Sequence, residues 1–210
     1  MKNPLKVLVQ ELIQEGVLNS KKLIEAFLKI DRKDFVLDDL KEYAYLNQPL
    51  SIGFGQTISQ PLVVAFMIEL LEAKEGEKIL DIGAGSGWTT ALLAYLVGEK
   101  GKVLAIERIP ELKEFGEKNV SKYNFVKKGI VKFYLKDGSY GLPEEAPFDK
   151  ILCSASLNSK EIIKRWISQL KEKGKIVTPY KEEILLIEKD NDKIKEESFY
   201  GFSFVPLIED

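Results

Sequence analysis

Residues 78–88 read Lys-Ile-Leu-Asp-Ile-Gly-Ala-Gly-Ser-Gly-Trp, and this stretch decides the fold. Lys78 to Ile82 is a short apolar run of the kind that makes a buried strand, and Thr89 to Val97 has the composition of a helix. Between them, glycine at 83, 85 and 87 permits positive φ and lets backbone N–H groups come close to a ligand. A dinucleotide fingerprint would space its glycines G-x-G-x-x-G. Here position 88 is Trp and the spacing is G-x-G-x-G. Such a turn can also be purely structural, so its meaning depends on the strands after it.

The next two strand-like runs supply that context. Lys102-Val-Leu-Ala-Ile-Glu107 ends in an acid 24 residues after Gly83. A carboxylate at the end of a second strand can accept hydrogen bonds from both hydroxyls of a ribose. Ile130-Val-Lys-Phe-Tyr-Leu-Lys-Asp137-Gly138 reads as a third strand, and its acid can accept from an adenine amine. Acids at successive strand ends lie where open α/β sheets bind ligands. The G-x-G-x-G turn resembles that of S-adenosylmethionine (SAM) enzymes. The cofactor expected is therefore SAM, leaving as S-adenosylhomocysteine, with Asp81 and the amides around Gly83, Gly85 and Gly87 at its methionyl part, Glu107 at the ribose, and Asp137 with Gly138 at the adenine.

Composition excludes much else. The 210 residues carry 31 positive and 33 negative side chains, a net of −2, which argues against a nucleic-acid scaffold. There is no histidine, so Ser-His-Asp and Cys-His catalysis and histidine-ligated metals are excluded. Cys153 is the single cysteine, which excludes an internal disulfide and a thiolate zinc site, and it reads as a small core residue. No apolar stretch approaches the roughly 18 residues of a membrane span, and the first residues lack the pattern of a secretory leader. A cytoplasmic protein without metal, membrane or nucleic-acid partner is expected, and a monomer.

Helical periodicity marks 4–14 (Leu5, Leu8, Val9, Leu12) and 20–30 (Leu23, Phe27, Ile30), whereas 31–58 reads as a long irregular loop. Residues 60–73 form an apolar helix with Ser59 placed as its N-cap and Pro61 in the first turn. Strands then fall near 78–82, 102–107, 130–135, 149–154 and 175–179, alternating with helices near 88–98, 110–122 and 159–172. This alternation gives a parallel sheet with right-handed crossovers. Glu183–Glu188 and Glu197–Leu207 form an antiparallel edge hairpin around Asp190-Asn191-Asp192. The fold class expected is α/β, a Rossmann-like, mostly parallel doubly wound sheet with a helical N-terminal extension and a C-terminal hairpin. Residues 1–210 make one domain: helices and substrate loop to 60, the SAM-binding core over 61–180, the C-terminal strands from 181.

A second constellation is Pro49-Leu-Ser-Ile-Gly-Phe-Gly-Gln-Thr-Ile-Ser-Gln-Pro61. Thr57 and Ser59 place hydroxyls just before a helix N-terminus, where free N–H groups and the helix dipole favour a carboxylate. A Ser-x-Pro in that place can also do no more than cap its helix.

Taken together, the chain resembles the protein-L-isoaspartate O-methyltransferase family over nearly its whole length. The resemblance runs through Asp31-Arg-Lys-Asp-Phe-Val36, Ala44-Tyr45, Pro49–Gly53, Gln56-Thr-Ile-Ser-Gln-Pro61, Asp81–Trp88, Gly101-Lys-Val, Glu107-Arg108, Asp137-Gly138, Gly141, Ala146-Pro-Phe-Asp149, Gln169-Leu-Lys171 and Phe204-Val-Pro-Leu207. The chain departs from the family pattern at Asn47, where an acid is usual, and at Leu62, Leu157–Lys160, Lys173-Gly174 and Pro179-Tyr180-Lys181. None of these touches the SAM motifs.

The resemblance implies transfer of the SAM methyl group to the α-carboxylate of L-isoaspartyl residues in damaged proteins and peptides. It implies Ser59 as the catalytic residue, Thr57, Ile58, Ser59 and Gln60 as substrate-binding residues, and Ala84 and Arg108 beside the cofactor residues named above. The alternatives are a SAM methyltransferase acting on RNA or a small molecule, and a non-catalytic SAM-binding adaptor. The former would need a base site for amine targets, and the corresponding strand end, Cys153-Ser-Ala-Ser156, lacks one.

Overall fold

The computed structural model describes residues 3–191 and 193–209. Asp192, the last residue of the expected 190–192 turn, lies outside them. Seven strands form the main sheet: β3 (Lys78–Ile82), β4 (Lys102–Glu107), β5 (Val131–Leu135), β6 (Phe148–Cys153), β7 (Leu170–Tyr180), β8 (Glu183–Asp190) and β9 (Lys193–Tyr200). Their order is β5-β4-β3-β6-β7-β8-β9. The first five are parallel, and β8 and β9 are antiparallel to their neighbours, so the tail is the expected edge hairpin. The chain winds outward from β3 through β4 to β5, then returns to place β6 on the other side of β3. That reversal is the position at which doubly wound sheets bind ligands.

Alternation along the strands sorts the core onto two faces. Ile79, Val103, Ala105, Leu152 and Val177 face one cluster, which holds buried residues of five helices: α1 (Pro4–Gln14), α2 (Lys21–Lys29), α3 (Pro61–Leu71), α4 (Trp88–Val97) and α5 (Pro110–Ser121). Leu80, Ile82, Leu104, Ile106, Ile151 and Ile176 face the other cluster, where α6 (Glu161–Ile167) packs. Strand β3 is buried on both faces, which is why its sequence is an almost unbroken apolar run.

Four expectations need correction. The stretch 31–58 is not irregular throughout. It holds two 3₁₀ turns, Arg32–Phe35 and Asp38–Tyr43, then a hairpin of β1 (Leu50–Gly53) and β2 (Gln56–Ile58). The hairpin turns on Phe54 and Gly55, both at positive φ. Helix α6 ends at Ile167 rather than running to 172, because Leu170 already pairs with Phe148 in the sheet. The last strand ends at Tyr200, and residues 201–207 leave the sheet instead of continuing it. Finally, Ser59 is not the cap of α3. The cap position is Gln60, whose side chain makes no capping bond. The side chain of Asn47 supplies one from outside the helix, its Oδ1 accepting from the Leu62 N–H at 3.0 Å.

Candidate active site

A cleft opens at the carboxyl ends of the parallel strands. Its walls are the segments that follow them: Gly83–Ser86 after β3, Glu107–Ile109 after β4, Lys136 and Gly138 after β5, and Ser154 and Ala155 after β6. The β1–β2 hairpin closes one side with Ile52 and Gln56–Ser59, and the C-terminal segment closes another with Val205–Ile208.

Three interactions shape the glycine turn. Gly83 and Ala84 N–H groups both donate to the Ile106 carbonyl, at 2.9 and 3.0 Å, which pins the turn to β4. Gly85 N–H donates to Glu107 Oε2 at 2.9 Å. Gly87 begins α4 at φ 86, and a Cβ there would stand 2.8 Å from the Gly116 carbonyl of α5. Conversely, a Cβ on Gly116 would stand 2.6 Å from the Gly85 carbonyl. Turn and helix therefore meet backbone to backbone, and only glycine fits on either side.

The Glu107 carboxylate is buried and held in one orientation. Oε1 accepts from the Arg108 and Ile109 N–H groups, at 2.7 and 2.9 Å. Among the described residues Oε2 accepts from Gly85 alone, so it retains capacity for a ligand hydroxyl. Arg108 also lines the cleft, and its Nη1 donates to the Glu209 carbonyl.

Two other expected acids are not part of the lining. Asp81 is wholly buried beneath the turn, with Oδ2 accepting from the Thr90 hydroxyl at 2.6 Å and Oδ1 without a partner. Burial pushes its carboxyl up to about 7, against the Thr90 bond, and the nearby Glu107 charge adds to the rise. Asp137 caps the Gly138–Tyr140 turn by accepting from the Ser139 N–H at 2.8 Å, and its neighbours Lys136 and Gly138 form the wall. Cys153 is buried, and burial pushes its thiol up to about 12, so it is inert at neutral pH.

A second cavity adjoins the first, lined by Pro49, Gln60, Val63, Ser203 and Phe204 together with Thr57, Ser59, Ser154 and Val205. The last four also line the cleft, so the two spaces share a partition that carries the hydroxyls of Thr57, Ser59 and Ser154. Among the described residues no ionisable side chain lines the second cavity.

The structure thus gathers Thr57, Ile58, Ser59, Gly83, Ala84, Gly85, Glu107, Arg108 and Gly138 around the cleft, puts Gln60 in the second cavity, buries Asp81 and Gly87, and leaves Asp137 half-buried beside the lining. Sequence reasoning missed Ser154 and the part played by residues 203–208. The signal for Ser154 was its place at the carboxyl end of a strand. The C-terminal segment is fixed by contacts no local pattern announces: Ser156 N–H donates to the Val205 carbonyl at 2.8 Å, and Leu207 N–H to the Ser156 carbonyl at 2.7 Å.

Comparison with known proteins gives a consistent result. The family model described as protein-L-isoaspartate(D-aspartate) O-methyltransferase matches residues 3–210. A protein-L-isoaspartate O-methyltransferase of Methanopyrus kandleri is 42% identical over 206 residues, covering 96% of this chain and 89% of that one. One of Fervidobacterium nodosum is 45% identical over 192 residues, covering 90% and 94%. Among solved structures, a Plasmodium falciparum protein given the same function, in complex with S-adenosylhomocysteine, superposes with a TM-score of 0.87 at 26% identity, covering 100% of both chains. Another protein-L-isoaspartate O-methyltransferase superposes at 0.86 with 28% identity, where this chain spans 65% of the longer one.

Proposed function

The chain belongs to the protein-L-isoaspartate(D-aspartate) O-methyltransferase family, and from that membership we infer that it is a repair methyltransferase acting on the α-carboxylate of L-isoaspartyl residues in damaged proteins and peptides. The observation that carries the reading is the hydroxyl-bearing partition between two cavities, one at the switch point of the sheet and one free of charge. The first cavity suits SAM: its wall is a glycine turn at positive φ, and the Glu107 carboxylate borders it with acceptor capacity to spare. When bound, SAM supplies a sulfonium methyl group, which passes to a carboxylate oxygen and leaves a methyl ester and S-adenosylhomocysteine.

The residues then divide the work. The backbone of Gly83–Ser86 forms the wall beside the methionyl part, with Asp81 supporting it from beneath. Glu107 holds the ribose and Gly138 the adenine side, while Asp137 fixes the turn that carries Gly138. Arg108 braces the C-terminal wall. Thr57, Ile58, Ser59 and Gln60 bind the substrate, and the Ser59 hydroxyl orients its carboxylate. A free carboxyl titrates near 4, so the nucleophile is ionised at neutral pH and no base is required. That accords with a chain of zero histidines. What remains is alignment and exclusion of water, to which Ile52, Ile82 and Leu207 contribute apolar wall. The near balance of charge and the single cysteine support a cytoplasmic monomer that meets proteins and peptides rather than nucleic acid or membrane.

The test uses labelled SAM and two peptides identical except for aspartate or isoaspartate at one position. Base-labile methyl ester on the isoaspartyl peptide alone is the expected result. Transfer to neither peptide, with SAM binding intact, overturns the reading and directs attention to RNA, small molecules or a non-catalytic role.

A further inference from the structure

Arg32 has none of its surface exposed, and among the described residues no carboxylate pairs with it. Its terminal nitrogens donate instead to main-chain carbonyls. Nη1 reaches Ala44 at 2.9 Å and Leu46 at 3.3 Å, and Nη2 reaches Gln48 at 2.9 Å and Ser59 at 3.1 Å, with the Ile58 carbonyl at 3.5 Å. Nε has no partner. The guanidinium also lies 5.4 Å from the centroid of the Trp88 ring, and Trp88 lines the cofactor cleft. Burial draws the group down to about 9, which leaves it a cation at neutral pH.

A buried cation with neutral partners is a costly way to fill a core. What it supplies here is position. The Ile58 carbonyl belongs to the peptide plane before Ser59, and the Ser59 carbonyl to the plane after it. Planar peptides on both sides of one Cα, once fixed, fix the direction of its Cβ. The same side chain holds the carbonyls of the 44–48 segment, from which Asn47 caps α3.

We infer that Arg32 is a positioning residue for methyl transfer: it holds the peptide planes that flank Ser59, and so holds the carboxylate-binding hydroxyl, against the cofactor wall at Trp88. The inference rests on Ser59 as the carboxylate site. The buried charge, one residue behind that site, adds attraction for an anionic substrate.

Arg32→Lys keeps the charge but, as a single ammonium, cannot span the fan of carbonyls. The variant is expected to lose about 10- to 100-fold in kcat/KM for an isoaspartyl peptide, while its Kd for S-adenosylhomocysteine moves less than about threefold. In a Ser59→Ala background the same change is expected to cost less than about twofold more. A purely structural role would lower peptide efficiency and cofactor affinity together, or add its full cost in that background; either result overturns the proposal. So does a peptide efficiency within about twofold of the parent. A variant that fails to fold and binds no S-adenosylhomocysteine overturns it as well, by making Arg32 a requirement of the fold alone. Ser59→Ala by itself separates the two levels: normal peptide turnover there removes the reading of Ser59, whereas impaired turnover there beside normal turnover in Arg32→Lys removes only the proposal.

Discussion

Asp81 shows how one side chain links the glycine turn to the stability of the whole protein. Its carboxyl is wholly buried and burial raises it to about 7, against about 3.9 in an unfolded chain. Between about pH 4 and pH 7 the folded state therefore keeps a proton that the unfolded state has lost, and stability falls as pH rises through that window. The fall is on the order of a few kcal/mol. Asp81→Asn cannot lose this proton, so its advantage over the parent should grow from pH 4 to pH 7 and then level off. Urea unfolding of the cofactor-free protein at several pH values measures this, and a difference constant with pH would refute it. The presence of an acid at this strand end was legible in sequence, but its depth was not: position 81 follows a strand pattern that says nothing about which side of the turn a ligand occupies. Glu107 was legible in both respects, being the last residue of β4 and bordering the cleft. Arg32 was legible only as part of a resemblance, since an arginine in a polar stretch reads as a solvated charge until the carbonyls around it are seen.

At the scale of elements, two contacts control the site from outside it. Glycine within a helix is ordinarily improved by alanine, by about 1 kcal/mol. Gly116 in α5 should reverse that sign, because its Cβ would meet the Gly85 carbonyl at 2.6 Å and the Gly87 nitrogen at 3.3 Å, both backbone atoms of the cofactor turn. Gly116→Ala is expected to lower both the melting temperature and the affinity for S-adenosylhomocysteine, measured by calorimetry, and a stabilised variant would show that the turn yields easily. The second contact is the cap of α3. Asn47→Ala should destabilise by about 1 kcal/mol, the ordinary worth of a capping side chain, whereas Asn47→Asp should keep the bond and add a favourable interaction with the helix dipole; thermal unfolding of the pair decides. Elements whose order comes from their own periodicity, such as α1, β3 and β4, were legible to within a residue. The β1–β2 hairpin was not, because its turn uses Phe54 with Gly55 in place of the usual Asn-Gly signal. Helix α6 was overextended because the pairing of Leu170 with Phe148 prevails over the helical pattern of 159–172.

At the scale of the whole molecule, the cleft joins segments from four parallel strands, the β1–β2 hairpin and the C-terminal stretch. A ligand there should therefore stabilise one cooperative unit rather than one element. At about 100 times its Kd, S-adenosylhomocysteine is expected to add about 2.7 kcal/mol, which for a chain of this size raises the melting temperature by roughly 5–10 °C. Calorimetry should show a single transition displaced as a whole, and a transition that splits would contradict this. The parallel sheet with its antiparallel edge hairpin was legible because alternating strands and helices leave few topologies open. The closure of the cleft by residues 205–208 was not, since it depends on the Ser156 backbone some 50 positions away.

The partition of Thr57, Ser59, Ser154 and Val205 also sets the terms on which this enzyme could acquire a new substrate range. Changes at Pro49, Gln60, Val63 or Phe204 would reshape one chamber alone, and selection could try them freely. On the proposed assignment of the two chambers, a change in the partition would alter two ligands at once, so a gain toward one peptide would be traded directly against grip on the methyl donor. Variation tolerated in a lineage of such enzymes should accordingly collect on the far walls and spare the boundary between them.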